Sequence, residues 1–142
     1  MNRSQVIDEL KEVCLPPLYE IANELRQKYP QFHISIGHAS VGTKTQFQGY
    51  TVYLECDHQG SRNPEPNCLA IEATVCNLNE APTLCSLDVS WGGDGIAPCD
   101  SYDCLEEQLP WGDSAKKLIQ KSLPTLHQEI DRCLQAWVKE YL

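Results

Sequence analysis

Between Arg62 and Lys116 the chain carries no lysine or arginine, while ten acids lie in the same stretch: Glu65, Glu72, Glu80, Asp88, Asp94, Asp100, Asp103, Glu106, Glu107 and Asp113. Outside it eleven bases meet ten acids, so the formal charge of −9 over 142 residues is concentrated in one segment. A field of that sign repels nucleic-acid backbones and anionic membranes, and it favours a basic protein surface or a cation. The bland alternative is that the acidity only keeps a small protein dispersed. Long apolar runs are also missing. Nothing approaches the ~18 residues of a membrane-spanning helix, and MNRSQVIDEL at the start has an acid pair where a secretory leader needs an apolar centre. A soluble, cytoplasmic protein is therefore expected.

Catalytic signatures are absent as well. There is no serine on a G-x-S-x-G turn, and His33, His38, His58 and His127 are scattered. The run Gly92-Gly93-Asp94-Gly95 is followed by acids and Pro98 rather than by a helix, so it reads as a turn and not as a phosphate cradle. Taken as a calcium loop starting at Asp94, it puts Ile96 and Pro98 where ligands belong. The eight cysteines lack the paired two-residue knuckles of zinc modules. Cys14, Cys68, Cys76, Cys85 and Cys133 lie in apolar stretches and are read as packing. Cys56, His58, Cys99 and Cys104 form the one set that would serve a zinc- or thiol-dependent enzyme, the alternative reading; neighbouring Asp100, Asp103, Glu106 and Glu107 act against a reactive thiolate there. No cofactor is expected, and an enzyme is the less favoured reading.

What is present is a pattern for one α+β domain over residues 1–142. From Ser4 to Tyr29, Val6, Leu10, Val13, Leu18, Ile21, Ala22 and Leu25 recur at helical spacing. Pro16 and Pro17 predict a kink or break within this helix, and Pro30 its end. Four strands are predicted at Phe32 to Gly37, Tyr50 to Cys56, Cys68 to Leu78 and Thr83 to Trp91; alternation such as Tyr50, Val52, Leu54, Cys56 against Thr51, Tyr53, Glu55, Asp57 gives each sheet position one dry and one wet side. Their links, around Gly42 to Gln48, Asp57 to Asn67 and Asn79 to Pro82, suit a mainly antiparallel meander. The last helix is capped by Asp113 or Ser114 and has the seam Ile119, Leu123, Leu126, Ile130, Cys133 and Trp137, with a kink expected at Pro124. That seam packs within the chain or, alternatively, in a homodimer or an obligate oligomer. His127 falls on its polar side and is read as solvated.

The segment after Trp91, some twenty residues without periodicity, is long for a structureless connection. In it Trp91, Tyr102 and Trp111 interleave with Asp94, Asp100, Asp103, Glu106 and Glu107, which is how aromatic anchors ringed by acids present themselves to a basic protein face. The α-β-β-β-β-α order resembles that of small proteins that work by binding another protein, such as immunity proteins to bacterial toxins and secretion chaperones. The resemblance implies a non-enzymatic, protein-binding role with no nucleic acid and no membrane.

Overall fold

In the computed structural model, residues 2–42, 48–58 and 66–142 are described. Two long helices lie on one face of an antiparallel sheet, in the order α-β-β-β-β-α that the apolar periodicities predict. Helix α1 spans Arg3–Lys28 and α2 spans Asp113–Tyr141; the long strands are β1 (His33–Val41), β2 (Gly49–Asp57), β3 (Cys68–Cys76) and β4 (Thr83–Gly92). These four form the expected meander, each paired antiparallel with the next. Two further strands of two residues each, β5 (Tyr102–Asp103) and β6 (Leu109–Pro110), both pair with β4, so the sheet has six strands rather than four.

Helix α1 opens on a capping box. The Asn2 side chain accepts from the Gln5 N–H at 2.9 Å, and the Gln5 side chain accepts from the Asn2 N–H at 3.0 Å. Of the kink or break expected at Pro16 and Pro17, the break does not occur: α1 runs through both as a single element, and α2 likewise runs through Pro124, where only a kink was expected. A proline removes its own bond to the carbonyl four residues back and crowds that carbonyl, a local cost that packing must outweigh for the helix to continue. On both sides of the prolines the buried stripe of Val6, Leu10, Cys14, Leu18, Ile21, Ala22 and Leu25 holds the helix onto the sheet, and tertiary burial of such a face outweighs local propensity. The N-cap of α2 is Gly112, with no side-chain cap bond; Asp113 sits in the first turn instead, where its charge faces the helix dipole favourably.

The α2 seam predicted from spacing, Ile119 through Trp137, is buried within the chain. It joins the α1 stripe and the dry face of the sheet, Ile34, Val52, Leu54, Cys56, Leu69, Ile71, Val75, Leu84, Leu87 and Val89, in one core. Trp137 is fully enclosed, edge-on to Phe32 (4.8 Å) and Trp91 (5.6 Å). The helices run parallel, as three pairings between them show: Glu9 with Lys116 at 2.9 Å, Glu24 with His127 at 3.3 Å and Lys28 with Asp131 at 2.8 Å. His127 is thus half-buried against Glu24 rather than free on a wet face.

The parallel arrangement explains the long connection. After an even number of antiparallel strands the chain leaves β4 at the end opposite to the one from which α2 must start, and residues 93–112 carry it back along the β4 edge. The pairings Val89 with Tyr102 and Asp88 with Asp103, then Leu84 with Leu109 and Thr83 with Pro110, trace that return. At the start of the return Gly93 adopts φ +92°, and a Cβ there would collide with the Asn67 side chain. At its end the Trp111 Nε1–H donates to Glu9 Oε1 at 3.0 Å, and Lys116 contacts the same oxygen at 2.9 Å. These hydrogen bonds to Lys116 and Trp111 hold the Glu9 carboxyl below its ordinary range. Trp111→Phe keeps the ring and loses the donor, and should lower stability by about 1 kcal/mol in urea unfolding; an unchanged midpoint would show that the strap is held by packing alone.

Strand β3 ends at Cys76, short of the predicted Leu78, because Asn77 turns left-handed at φ +55° and its carbonyl accepts from the Glu80 N–H at 3.1 Å. Just before it the β3–β4 register shifts between Thr74 and Val75. Cys76 and Cys85, read from the sequence as packing, are joined in a disulfide across this hairpin with Cα atoms 6.2 Å apart. The other six cysteines are free thiols. The links expected around Gly42 to Gln48 and Asp57 to Asn67 fall, at residues 43–47 and 59–65, outside the described residues. No helix among the described residues is long and apolar enough to cross a membrane.

Candidate binding face

Strand alternation gives the sheet a second face, turned away from both α1 and α2. Thr51, Tyr53, Glu55 and Asp57 from β2, Ala70, Glu72 and Thr74 from β3, and Ser86, Asp88 and Ser90 from β4 point there, opposite to the core residues between them. Its centre is small and hydroxylic: the Thr74 hydroxyl donates to Thr51 Oγ1 at 2.9 Å, and that hydroxyl donates to the Ala73 carbonyl at 3.3 Å. Tyr53 lies across Gly37, where a Cβ would come within 2.5 Å of the phenol oxygen; glycine is what lets the ring lie down on β1.

The register brings acids together on this face. Glu72 is directly opposite Asp88, and Asp88 is directly opposite Asp103, so three carboxylates from β3, β4 and β5 form one cross-strand row, with Glu55 opposite Ala70 in the adjoining row. Like charges directly opposite one another in a sheet are unfavourable. The Asp88 carboxyl shows the consequence: burial first, then Glu72 and Asp103, push its pKa from 3.8 to about 6. Asp88 Oδ1 is shut off from solvent and has no hydrogen-bond partner among the described residues. All nine described lysines and arginines lie on α1 and α2, none on a strand or connection. The uneven charge seen in the sequence is therefore a spatial division, with ten described carboxylates between His33 and Gly112 on the sheet and its edge strap.

The residues singled out in the Trp91–Asp113 segment divide by chemistry. The acids Asp94, Asp100, Asp103, Glu106 and Glu107 are all exposed. Asp103 joins the row and also accepts from the Leu105 N–H at 2.9 Å. The two tryptophans are turned inward: Trp91 packs on Trp137 with its Nε1 shielded from solvent, and Trp111 is tied to Glu9. Tyr102 is 37% exposed and is the segment's surface aromatic beside the acids. Glu55, Glu72 and Asp88 were not singled out from the sequence. The signal for the last two lay in the hairpin itself, since a short link after Cys76 sets Glu72 opposite Asp88 once the two strands are paired.

Cys56, His58, Cys99 and Cys104 are not brought together. Among the described residues no three of His, Cys, Asp or Glu are placed to hold a metal ion. Cys56 points into the core, where burial pushes its thiol up to about 12. Cys104 is raised first by burial and also by Asp103 and Asp88, with Ser122 hydrogen-bonded to it. Cys99 lies against Cys133, whose thiol burial pushes up to about 12. His58 stands edge-on to Phe32 at 5.7 Å. The raised thiols of Cys56, Cys104 and Cys133 stay protonated at neutral pH and are poor nucleophiles. No family model matches the chain, and neither the curated proteins nor the solved structures contain a match to it.

Proposed function

We propose that the chain is a non-enzymatic protein-binding domain whose acidic face docks on a basic protein surface. The observation that carries this reading is the row Glu72, Asp88 and Asp103 on the sheet face turned away from α1 and α2. An arrangement that raises a carboxyl's pKa, with only a hydrogen bond from Ser90 set against burial, Glu72 and Asp103, acquires a purpose when a cationic surface covers it. Exposed Asp94, Asp100, Glu106 and Glu107, with Tyr102 between them, extend the same charge around the edge strap. This is the role of an immunity-protein-like or chaperone-like binder, monomeric or homodimeric, with no nucleic acid or membrane among its targets. Six unpaired thiols favour the cytoplasm as its compartment; the single disulfide weighs the other way.

Steering by charge makes the complex sensitive to salt. Partners captured on the immobilised full chain at 50 mM salt should be basic proteins, and most should be released at 300 mM. The variant Asp100→Asn/Asp103→Asn/Glu106→Gln/Glu107→Gln should bind them roughly tenfold more weakly. A partner indifferent to both changes would show that recognition lies elsewhere on the chain.

A further inference from the structure

On their solvent side the two helices leave a half-open groove of about 620 Å³, separate from the acidic sheet face. Its apolar wall is Val13, Pro17, Ile21, Leu123 and Pro124, and its polar groups are Glu12, Glu20, Glu24, Gln120 and His127. No lysine or arginine lines it; its histidine is already paired with Glu24 at 3.3 Å.

Two of the three prolines inside helices, Pro17 and Pro124, line this groove, Pro16 stands next to it in the chain, and each removes one backbone donor. Pro16 leaves the carbonyl of Glu12 without its i+4 partner, Pro17 does so for Val13, and Pro124 for Gln120. Glu12, Val13 and Gln120 all line the groove. Two helices from opposite ends of the chain thus line one cleft with residues whose carbonyls have lost their i+4 donor, and the carboxylate residues Glu12, Glu20 and Glu24 line it as well. The cleft is rich in acceptors, poor in donors and apolar between them.

We propose that this groove docks an arginine-bearing segment of a partner protein. A guanidinium offers five N–H donors in a planar fork and matches a mixed set of carboxylates and carbonyls better than an ammonium does. Apolar residues flanking it would lie over Val13, Ile21 and Leu123, the way a peptide is read in a groove between helices. The prolines are then part of the recognition surface and not only helix irregularities.

Randomised dodecapeptides selected against the full-length chain test this. The enriched sequences should carry arginine next to apolar residues. Binding of one such peptide, followed by fluorescence anisotropy, should fall tenfold or more in Glu12→Gln/Glu20→Gln/Glu24→Gln, and be unchanged in Glu72→Gln/Asp88→Asn/Asp103→Asn. The variant Pro17→Ala/Pro124→Ala should bind severalfold more weakly while unfolding at a higher temperature, because alanine restores the missing donors. A purely structural role for the prolines does not join weaker binding to greater stability. An empty selection, enriched peptides without arginine, or affinity that follows the sheet-face variant instead would overturn the proposal; the last of these would leave the acidic-face reading standing.

Discussion

The variant Glu72→Gln/Asp88→Asn/Asp103→Asn is expected to be more stable than the parent at pH 8 and to bind the basic partner on the order of a hundredfold more weakly. Both effects follow from the same cross-strand row. In the unfolded chain Asp88 releases its proton near 3.8, whereas in the folded protein it holds it up to about pH 6. Between those values the folded state binds more protons, so stability is highest on the acid side of the window and falls as pH rises through it. The loss amounts to about 2 kcal/mol once solvent screening of this half-buried group is allowed for. Asparagine does not titrate, so Asp88→Asn alone should flatten the profile between pH 4 and 6, and the triple variant should also escape the repulsion above it. Urea unfolding at several pH values measures the first effect, and anisotropy with the captured partner measures the second. Parallel pH profiles for parent and variant would mean that a group other than Asp88 dominates that window.

A gain in stability joined to a loss of binding is what separates a binding face from an accidental one. Residues kept for contact with another molecule are often those that the isolated fold would do better without. The division of charge makes the same point on a larger scale. All nine described basic residues stand on the helices, several in pairs such as Lys28 with Asp131 and Lys116 with Glu9, while no described lysine or arginine forms an ion pair with the described acids of the sheet and its edge strap.

Much of the architecture was legible because its elements are long and periodic. Tyr50 to Cys56 alternates cleanly, and Ile119 to Trp137 steps by fours and threes, so one dry sheet face and one dry helix seam are readable before any pairing is known. Strands β5 and β6 were not legible, because two residues cannot display a period; what made them strands is the need to return along β4 to the start of a parallel helix. At Pro16 and Pro17 a kink or a break was expected, and it is the break that does not occur. Pro16 and Pro17 are strong local signals, but the burial of Leu10, Cys14 and Leu18 around them is a tertiary effect that no local rule contains. In the site, the acids of the strap were visible from composition, whereas Glu72 and Asp88 became members only once register set them opposite each other and Asp103. Trp91 and Trp111 had the composition of anchors, but the core and Glu9 already engage them.

Removing the Cys76–Cys85 bond should produce the largest change in stability. The two cysteines are nine residues apart and close the β3–β4 hairpin where its register shifts between Thr74 and Val75. Closing a loop of that length restricts the unfolded chain by about 2.5 kcal/mol in the chain-entropy account. For a chain of this size that corresponds to a melting temperature lower by roughly 8 °C. Cys76→Ala/Cys85→Ala should show that drop, and the parent should show it on adding a reductant, while the double variant should be indifferent to reductant. A reductant effect that survives in the double variant would place the stabilising bond elsewhere. Counting thiols by mass after acid quenching, denaturation and alkylation of protein taken directly from cells completes the argument. Six labelled cysteines mean that the hairpin is locked where the protein works, and eight mean that it works in a reducing compartment with the hairpin held by strand pairing alone. In the second case the acidic row sits on a sheet whose β3–β4 hairpin lacks its covalent tie, and the difference in stability between the neutral triple variant and the parent should widen under reducing conditions.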